Sequence, residues 1–218
     1  YYTSLDIRHG YYHIEVEPNS RKYTAFRTFK KIYQWKRMPM GLVNAPAVFQ
    51  RAMDHIFKDF KFVKIYLDDI LIVSKTEQEH LLHIKKVFSR LSEYNIKLRI
   101  DKCKFFQREL KYLGHIINRN GVKPDTKYID KIINLKKPTN KKEVERFLGM
   151  VQWLGKFVAN LSKYTEPMSK LKRKNIQYKW DSHCDLFFNK IKNAIKLAKP
   201  LKYPDLNKTF YVMTDASD

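Results

Sequence analysis

Two adjacent acidic residues interrupt an apolar stretch in the first half of the chain. The stretch reads FVKIYLDDILIVS from Phe62 to Ser74, and the acidic pair is Asp68 and Asp69. Aspartate is a common turn residue, so a solvated hairpin tip is the default interpretation of this pair. Both flanking runs are apolar along their whole length, however, which is typical of buried strands. Two carboxylates at the tip of a buried hairpin repel each other unless a cation neutralises them.

A divalent metal ion would supply that neutralisation. Mg²⁺ prefers oxygen ligands and typically takes one or two protein carboxylates, completing its shell with water and substrate phosphates. A third carboxylate, Asp6, ends the apolar part of SLDIRHGYY, although it could equally be a polar residue at a strand edge. If its strand lies beside the hairpin, three carboxylates meet. They are enough to hold two Mg²⁺ ions about 3.5–4 Å apart, an arrangement suited to in-line phosphoryl transfer.

The net charge of the chain indicates an anionic partner. Of its 218 residues, 44 are Lys or Arg and 22 are Asp or Glu, for a formal net charge of +22. Residues 131–200 alone hold 17 basic and 5 acidic residues. This excess favours nucleic acid, because neutralising phosphates releases condensed counterions. A lysine-rich solvated surface is the alternative that charge alone leaves open.

Composition also bears on the compartment and on other metal sites. No apolar run approaches the roughly 20 residues that span a bilayer, so we expect an intracellular protein without a membrane partner. Cys103 and Cys184 lack metal-type spacing, which suits a reducing compartment. His80 and His83 could in principle bind zinc, but on a charged helix without nearby cysteines we expect them to be surface residues.

Hydrophobic periodicity predicts mixed α and β structure over about the first 120 residues and mainly helices after that. A helix is predicted from Asn44 and Pro46, another from the capping-box pair Thr76 and Glu79, and a third from Asp125. Leu81, Ile84, Phe88 and Leu91 form the predicted buried stripe of the second helix, and two later helices are predicted around 144–158 and 187–195. Predicted strands and hairpins cover 11–17, 23–38, 62–67, 70–74, 96–100, 110–122 and the terminal TFYVMTDASD.

Many short motifs together resemble the reverse transcriptases of gypsy-type long-terminal-repeat retrotransposons, which are related to retroviral polymerases. One such motif would be weak evidence, but so many in the same order and spacing argue against an accidental likeness. The motifs are LDIRHGYYHI, YTAFRT, MPMGLVNAPAVFQRAM, IYLDDILIVS, EHLLHIKKVFSRL, KCKF, YLGHII, RFLGMVQWLGKFV and TDAS.

The resemblance implies an α+β fold. It consists of a polymerase palm, in which an antiparallel sheet packs on helices, a mainly helical thumb, and the first strand of a ribonuclease H-like domain. The implied bounds are 1–120 for the palm, with a remnant of the fingers at about 18–40, then 121–203 for the thumb or connection and 204–218 for the truncated ribonuclease H domain. Since most of the fingers would then be absent, we expect this fragment to bind primer-template but to extend it poorly.

The resemblance also implies roles for the palm residues. Asp6, Asp68 and Asp69 correspond to the catalytic aspartates that hold two Mg²⁺ ions, with Mn²⁺ as an alternative. The corresponding nucleotide-binding residues are Ile7, Tyr11, Met40 and Gly41. Tyr11 would lie beneath the incoming sugar, where its ring would clash with a 2′-hydroxyl and favour deoxynucleotides. Packing within a strand is the alternative role for Tyr11, and the family often has Phe at the position of Met40.

Two further assignments lie outside the palm. The YLGH segment, Tyr112, Leu113, Gly114 and His115, resembles the primer grip that holds the primer 3′ end, with an ordinary hairpin as the alternative. Asp215 resembles the first metal-binding aspartate of ribonuclease H, whose other catalytic residues lie beyond this sequence, so we expect no nuclease activity. The basic helical region resembles a thumb that follows the duplex through phosphate contacts.

The implied function is RNA-directed DNA polymerisation by part of a retrotransposon polyprotein. The implied partners are an RNA or DNA template with its primer, dNTPs, and the fingers, ribonuclease H and integrase domains of the same polyprotein, in a cytoplasmic particle or the nucleus. A catalytically inactive or domesticated nucleic-acid-binding subunit is one alternative. An RNA-dependent RNA polymerase that shares the palm is another, which Tyr11 and TDAS disfavour.

Overall fold

The chain divides into two units, Tyr1–Leu110 and Lys111–Asp218. The computed structural model describes residues 1–173 and 177–214. In the first unit the strands are β1 (Tyr2–Asp6), β2 (Phe26–Arg27), β3 (Ile32–Tyr33), β4 (Val63–Tyr66), β5 (Asp69–Val73) and β6 (Lys104–Gln107), and the α-helices are α1 (Ala45–Ile56) and α2 (Glu77–Glu93). Short 3₁₀ helices cover Gly10–His13, Pro18–Thr24 and Ile100–Lys102.

The later elements complete the chain. They are β7 (Glu109–Tyr112), at whose centre the two units divide, β8 (His115–Asn118), β9 (Gly121–Pro124), α3 (Thr126–Ile133), α4 (Lys141–Trp153), a 3₁₀ turn at Gly155–Phe157, α5 (Leu161–Lys170) and α6 (Ser182–Lys196). Apolar side chains of α3 to α6 form one core, with Val144, Val151, Ile191 and Ile195 completely buried. The helical prediction for this part of the chain is confirmed.

The first unit is organised by a four-stranded sheet in the order β4-β5-β1-β6. Its two central strands, β1 and β5, are antiparallel and pair residue for residue from Tyr2 and Val73 to Asp6 and Asp69. Ile70 and Ile72 of β5 are completely buried, and α1 packs on β4 while α2 packs on β5. An antiparallel sheet packed on helices is the fold that the sequence predicted for this region.

Local sequence signals determine where the helices begin. Thr76 Oγ1 accepts a hydrogen bond from the Glu79 amide at 3.2 Å, and a Glu79 carboxylate oxygen accepts one from the Lys75 amide at 2.8 Å. Asp125 caps α3 through the Lys127 amide. These bonds satisfy amide groups that the first turn of a helix leaves free. The three predicted helix starts are confirmed.

The acidic hairpin turns one residue before the gap between the predicted strands 62–67 and 70–74, and the hairpin predicted within 110–122 turns at Arg119 and Asn120. Tyr66 pairs with Asp69, so the acidic hairpin turns at Leu67 and Asp68, and Asp69 is the first residue of β5. In the β8–β9 hairpin, Asn118 pairs with Gly121, which therefore lies in a strand. Gly121 has a φ of +136°, and a Cβ there would lie 2.0 Å from the Leu201 carbonyl oxygen. Glycine is thus required by a close backbone approach rather than by the turn.

Three predicted strands do not form. Residues 11–17 contain the end of a 3₁₀ helix and an isolated bridge at Glu15, and 96–100 form only an isolated bridge at Leu98. Over residues 209–214 the C-terminal pattern is exposed and carries no strand, while 215–218 lie outside the described residues. An alternating pattern becomes a strand only where a neighbour supplies a continuous hydrogen-bond ladder, and these segments have none among the described residues.

The buried face of α2 differs from the predicted stripe. Leu81 and Phe88 are exposed, and His80, Ile84, Val87 and Leu91 point into the core. The expectation that His80 is a surface residue was therefore wrong. Its Nε2 shares a 2.7 Å hydrogen bond with Thr3 Oγ1, and its Nδ1 shares one of 2.7 Å with Ser74 Oγ. Because both ring nitrogens have protein partners, His80 offers no free nitrogen to zinc.

No helix within the described ranges is both long and apolar enough to cross a bilayer.

We predict that His80 makes the stability of this chain depend on pH. Burial lowers the pKa of His80 from 6.5 to about 4. Between these values the unfolded chain binds the proton and the folded chain does not. The contribution of neutral His80 to stability is therefore full above about pH 6.5 and is lost as the pH drops toward 4.

Urea unfolding at pH 7 and pH 4.5 checks this prediction. His80→Gln should show a smaller loss between the two pH values than the unsubstituted chain. His183→Gln, which changes an exposed histidine of α6, is the control and should leave the loss unchanged. Equal losses in the chain and in His80→Gln would contradict the assignment.

Candidate active site

The three aspartates meet at one end of the central strands. Asp6 ends β1 and lies directly opposite Asp69, the first residue of β5. Residues directly opposite in an antiparallel pair project from the same face of the sheet. Asp68 precedes Asp69 in the turn, and its carbonyl oxygen accepts a 2.9 Å hydrogen bond from the Ile7 amide. The ladder therefore continues past the strands and attaches the turn to the residue that follows Asp6.

The carboxylate of Asp68 occupies a space that Gly10 leaves open. A Cβ at Gly10 would lie 2.0 Å from Asp68 Oδ1 and 2.8 Å from Cζ of Phe49. Both distances are too short for non-bonded atoms, so no larger residue fits there without moving the carboxylate or the core ring. No sequence motif indicates this role for Gly10, because only the folded chain brings it against the turn.

Desolvation and the charges of neighbouring carboxylates make Asp68 and Asp69 harder to ionise. Asp68 Oδ1 is buried and has no hydrogen-bond partner among the described residues. Burial, followed by the charges of Asp6 and Asp69, raises the pKa of Asp68, and Arg99 opposes this shift. Burial and the charge of Asp6 likewise raise the pKa of Asp69. A bound cation would relieve both effects, because it supplies a partner and favours the ionised form.

Arg99 provides the positive charge nearest to Asp6. Its Nε lies 3.7 Å from Asp6 Oδ1, and its amide donates a 2.8 Å hydrogen bond to the Asp6 carbonyl oxygen. Within the described ranges, no three His, Cys, Asp or Glu side chains are grouped closely enough to hold a metal ion. The donor chemistry and the orphaned Asp68 oxygen fit a hard divalent cation, while the three carboxylates do not converge on one point.

The predicted nucleotide-binding residues have different environments. Ile7 is buried beneath the site. Tyr11 lies in a 3₁₀ helix rather than a strand, with its ring edge-on to Phe49 at a centroid distance of 5.6 Å. Met40 is exposed in the loop before α1, and Gly41 has a φ of +93°, which favours glycine. The roles of all four residues stay predictions.

The predicted primer-grip residues form a hairpin in the second unit. Tyr112 ends β7 and His115 begins β8, and the turn residues Leu113 and Gly114 both have positive φ, 47° and 77°. The His115 ring meets the Trp153 ring edge-on at 4.5 Å. This packing is what an ordinary hairpin would also show, so the grip assignment stays a prediction. Asp215 lies outside the described residues.

A basic cleft lies along the backbone that follows Asp6. Its volume is about 720 Å³, and its lining combines cationic and aromatic side chains: Arg8, His9, Tyr12, His13, Arg37, Tyr94, Asn95 and Lys97. Burial and the positive charges of Arg37 and Lys97 lower the pKa of His13. The charges of Arg8, Arg37 and Lys97 favour anionic groups such as phosphates in the cleft.

An antiparallel sheet that carries paired carboxylates at one end and is backed by helices is the arrangement that the sequence predicted for a polymerase palm. Residues 1–117 match the family model described as "Reverse transcriptase (RNA-dependent DNA polymerase)". The chain belongs to the reverse transcriptase family.

Curated relatives extend the likeness over the whole chain. The retrovirus-related Pol polyprotein from transposon 297 of Drosophila melanogaster is 38% identical over 100% of this chain and 21% of its own length. The transposon Tf2-3 polyprotein of Schizosaccharomyces pombe is 35% identical over 100% of this chain and 16% of its own length. The chain thus spans about a fifth or less of these relatives.

Solved structures show the same fold. The foamy viral protease-reverse transcriptase dRH in complex with ds DNA has a TM-score of 0.88 and 28% identity, covering 94% of this chain and 37% of that one. The foamy viral protease-reverse transcriptase in complex with RNA/DNA hybrid has a TM-score of 0.84 and 28% identity, covering 93% of this chain and 28% of that one. The predicted fold class and family are confirmed.

We predict that Gly10→Ala destabilises the first unit, because its methyl group would overlap the Asp68 carboxylate and Phe49. Overpacking of this kind typically costs about 1–3 kcal/mol. The matched control is Gly149→Ala in α4, where an added Cβ meets no atom within 4 Å. The control should be neutral or stabilising, since alanine is the better helix former. Urea unfolding of both variants measures the difference, and equal effects would contradict the packing argument.

Proposed function

We propose that this chain is the palm and thumb part of an RNA-directed DNA polymerase that adds dNTPs to a primer 3′-hydroxyl on an RNA or DNA template. The observation that supports this proposal is Asp68 Oδ1, which is buried without a hydrogen-bond partner among the described residues, beside Asp69 and Asp6 in a chain of the reverse transcriptase family. Retaining such an unfavourable cluster is reasonable where a cationic ligand binds.

We assign metal binding to the three aspartates. Asp6, Asp68 and Asp69 would hold two divalent cations, Mg²⁺ or Mn²⁺. When bound, such ions lower the pKa of the attacking hydroxyl and neutralise charge on the phosphates. The raised pKa values of Asp68 and Asp69 mean that protons compete with the cations for these oxygens. Ile7 ties the turn to β1 and so keeps the carboxylates of the two strands together.

Selection and placement of the nucleotide are assigned to the surface around Tyr11. Its ring is braced by Phe49, so it could exclude a 2′-hydroxyl without moving. Met40 and Gly41 would lie against the nucleotide and template base. The cleft lined by Arg8, Arg37 and Lys97 would attract phosphate groups toward the carboxylates. Together these residues account for the binding of a dNTP.

The second unit is assigned to the duplex. Its excess of basic residues suits phosphate contacts, which position a duplex without reading its bases. The hairpin Tyr112, Leu113, Gly114 and His115 would hold the primer end. In the proposed organisation the palm covers 1–120, the thumb or connection 121–203, and a ribonuclease H domain begins at 204–218 with Asp215 as its first metal ligand. Fingers, ribonuclease H and integrase domains would belong to the same retrotransposon polyprotein.

A nucleic-acid-binding subunit without catalysis is the second candidate. The observation that favours it is the lack of a converged three-ligand group among the described residues. The two candidates differ in whether the complete, unsubstituted protein extends a primer and loses that activity when an aspartate is replaced.

We predict that Asp68→Asn or Asp6→Asn abolishes primer extension by the complete polymerase that contains this chain, because an amide cannot supply the negative charge that the cations require. Binding of primer-template should remain measurable. Asp59→Asn, at an exposed residue after α1, is the matched control and should extend primers normally. Wild-type extension by either site variant would overturn the metal assignment. Absence of extension by the unsubstituted polymerase would leave the non-catalytic candidate.

We also predict that binding of primer-template to residues 1–218 depends strongly on salt. Neutralising even two phosphates lowers the affinity about tenfold between 50 and 200 mM monovalent salt. Fluorescence anisotropy over this range gives the slope of log affinity against log salt. A slope near zero would contradict the proposed phosphate contacts.

A further inference from the structure

A glutamine on α1 is bonded directly to the turn that carries Asp68. The amide of Leu67 donates a 2.7 Å hydrogen bond to Gln50 Oε1, and Gln50 Nε2 donates one of 3.2 Å to the Ile65 carbonyl oxygen. Gln50 follows Phe49, whose ring packs against Gly10 and Tyr11. One side chain therefore contacts both the turn and the strand that leads into it, from a helix that belongs to the core.

The turn needs such support because of its backbone conformation. Leu67 has a φ of +51°, in the left-handed region that residues other than glycine rarely adopt. Conformations of this kind persist only where the surroundings hold them in place. Gln50 satisfies the Leu67 amide in this conformation, and Ile7 satisfies the Asp68 carbonyl oxygen from the other side. The two bonds together hold the peptide group that precedes Leu67 and the one that follows Asp68.

The partners of Gln50 also fix which way its amide group faces. Nε2 has a second acceptor, Asp54 Oδ1, at 2.9 Å on the next turn of α1. Two acceptors on the nitrogen side and one donor on the oxygen side leave a single consistent orientation. Only glutamine among residues of this length offers a donor and an acceptor together. Glutamate could accept from Leu67, but it could not donate to Ile65 or Asp54.

We propose that Gln50 is a positioning residue for the carboxylate hairpin. It holds Leu67 in the left-handed conformation and thereby directs the Asp68 carboxylate into the space beside Gly10. The consequence for catalysis rests on the proposed polymerase function, whereas the effect on the turn does not. Asp68 would contact the reacting groups, whereas Gln50 would act only through its effect on Asp68.

Hydrogen exchange in residues 1–218 tests the positional part. In Gln50→Ala we expect the Leu67 amide to exchange at least about tenfold faster, because its acceptor is gone. Amides of β1 and β5 should keep their protection, which shows that the sheet is intact. Gln78→Ala, at an exposed glutamine of α2, makes the same chemical change elsewhere and should leave Leu67 unaffected. Unchanged protection of Leu67 in Gln50→Ala would overturn the proposal.

Binding of Mg²⁺ tests whether the turn sets the carboxylate. Isothermal titration of residues 1–218 with MgCl₂ should show weaker binding in Gln50→Ala than in Gln78→Ala. Gln50→Glu separates the bond that Gln50 accepts from the two that it donates. It keeps an acceptor for the Leu67 amide but cannot donate to Ile65 or Asp54. We expect its Leu67 amide to stay protected more than in Gln50→Ala. Equal Mg²⁺ affinity in Gln50→Ala and the control would overturn the link to Asp68.

Kinetics of the complete polymerase test the consequence. Misplacing a reacting group by about 1 Å can lower a rate about a hundredfold. We expect Gln50→Ala to lower kcat by about tenfold or more while KM for dNTP changes less than about twofold. A changed KM with an unchanged kcat would overturn the positioning role. If Asp68→Asn left extension intact, the proposed function would fail, but the exchange of Leu67 would still decide the role of Gln50 in the turn.

Discussion

The grouping of three carboxylates at one end of an apolar sheet, with one oxygen of Asp68 buried, is the constraint on which the active-site end of the first unit depends. Ile70 and Ile72 of β5 are completely buried, yet the same strand begins with Asp69 and follows Asp68. A buried carboxylate oxygen without a partner is unfavourable, and neighbouring carboxylates make it more so. Such a cluster is maintained only if the surrounding structure holds it or if a cation compensates it.

The surrounding structure holds the cluster through contacts from several separate segments. Gly10 leaves the space that the Asp68 carboxylate fills, and Arg99 opposes the negative charge of Asp6. Ile7 and Gln50 bind the peptide groups of the turn from opposite sides. These contacts position the carboxylates but do not neutralise them, so the protein stores an unfavourable charge distribution that a cationic ligand would relieve.

Features of the fold that depend on neighbouring residues in the sequence were predictable. The helix starts at Thr76 and Asp125 were found because capping depends on residues a few positions apart, and the start at Asn44 was found because Pro46 favours the first turn of a helix. The hairpin was found as well, but its turn was placed one residue late, since register depends on the partner strands. His80 was expected at the surface, and Thr3 and Ser74, on other segments, explain why it is buried instead.

The sequence by itself determined the family, the order of most elements and which three aspartates meet at the end of the sheet. Motif spacing and hydrophobic period are properties of consecutive residues and can be read without a structure. Only the tertiary structure decided that Tyr11 lies in a 3₁₀ helix, that Gly10 accommodates Asp68, and that Gln50 supports the turn. Each of these depends on contacts between segments distant in sequence. Side-chain volume and hydrogen-bond partners across such distances exist only once the chain has folded, so no local pattern encodes them.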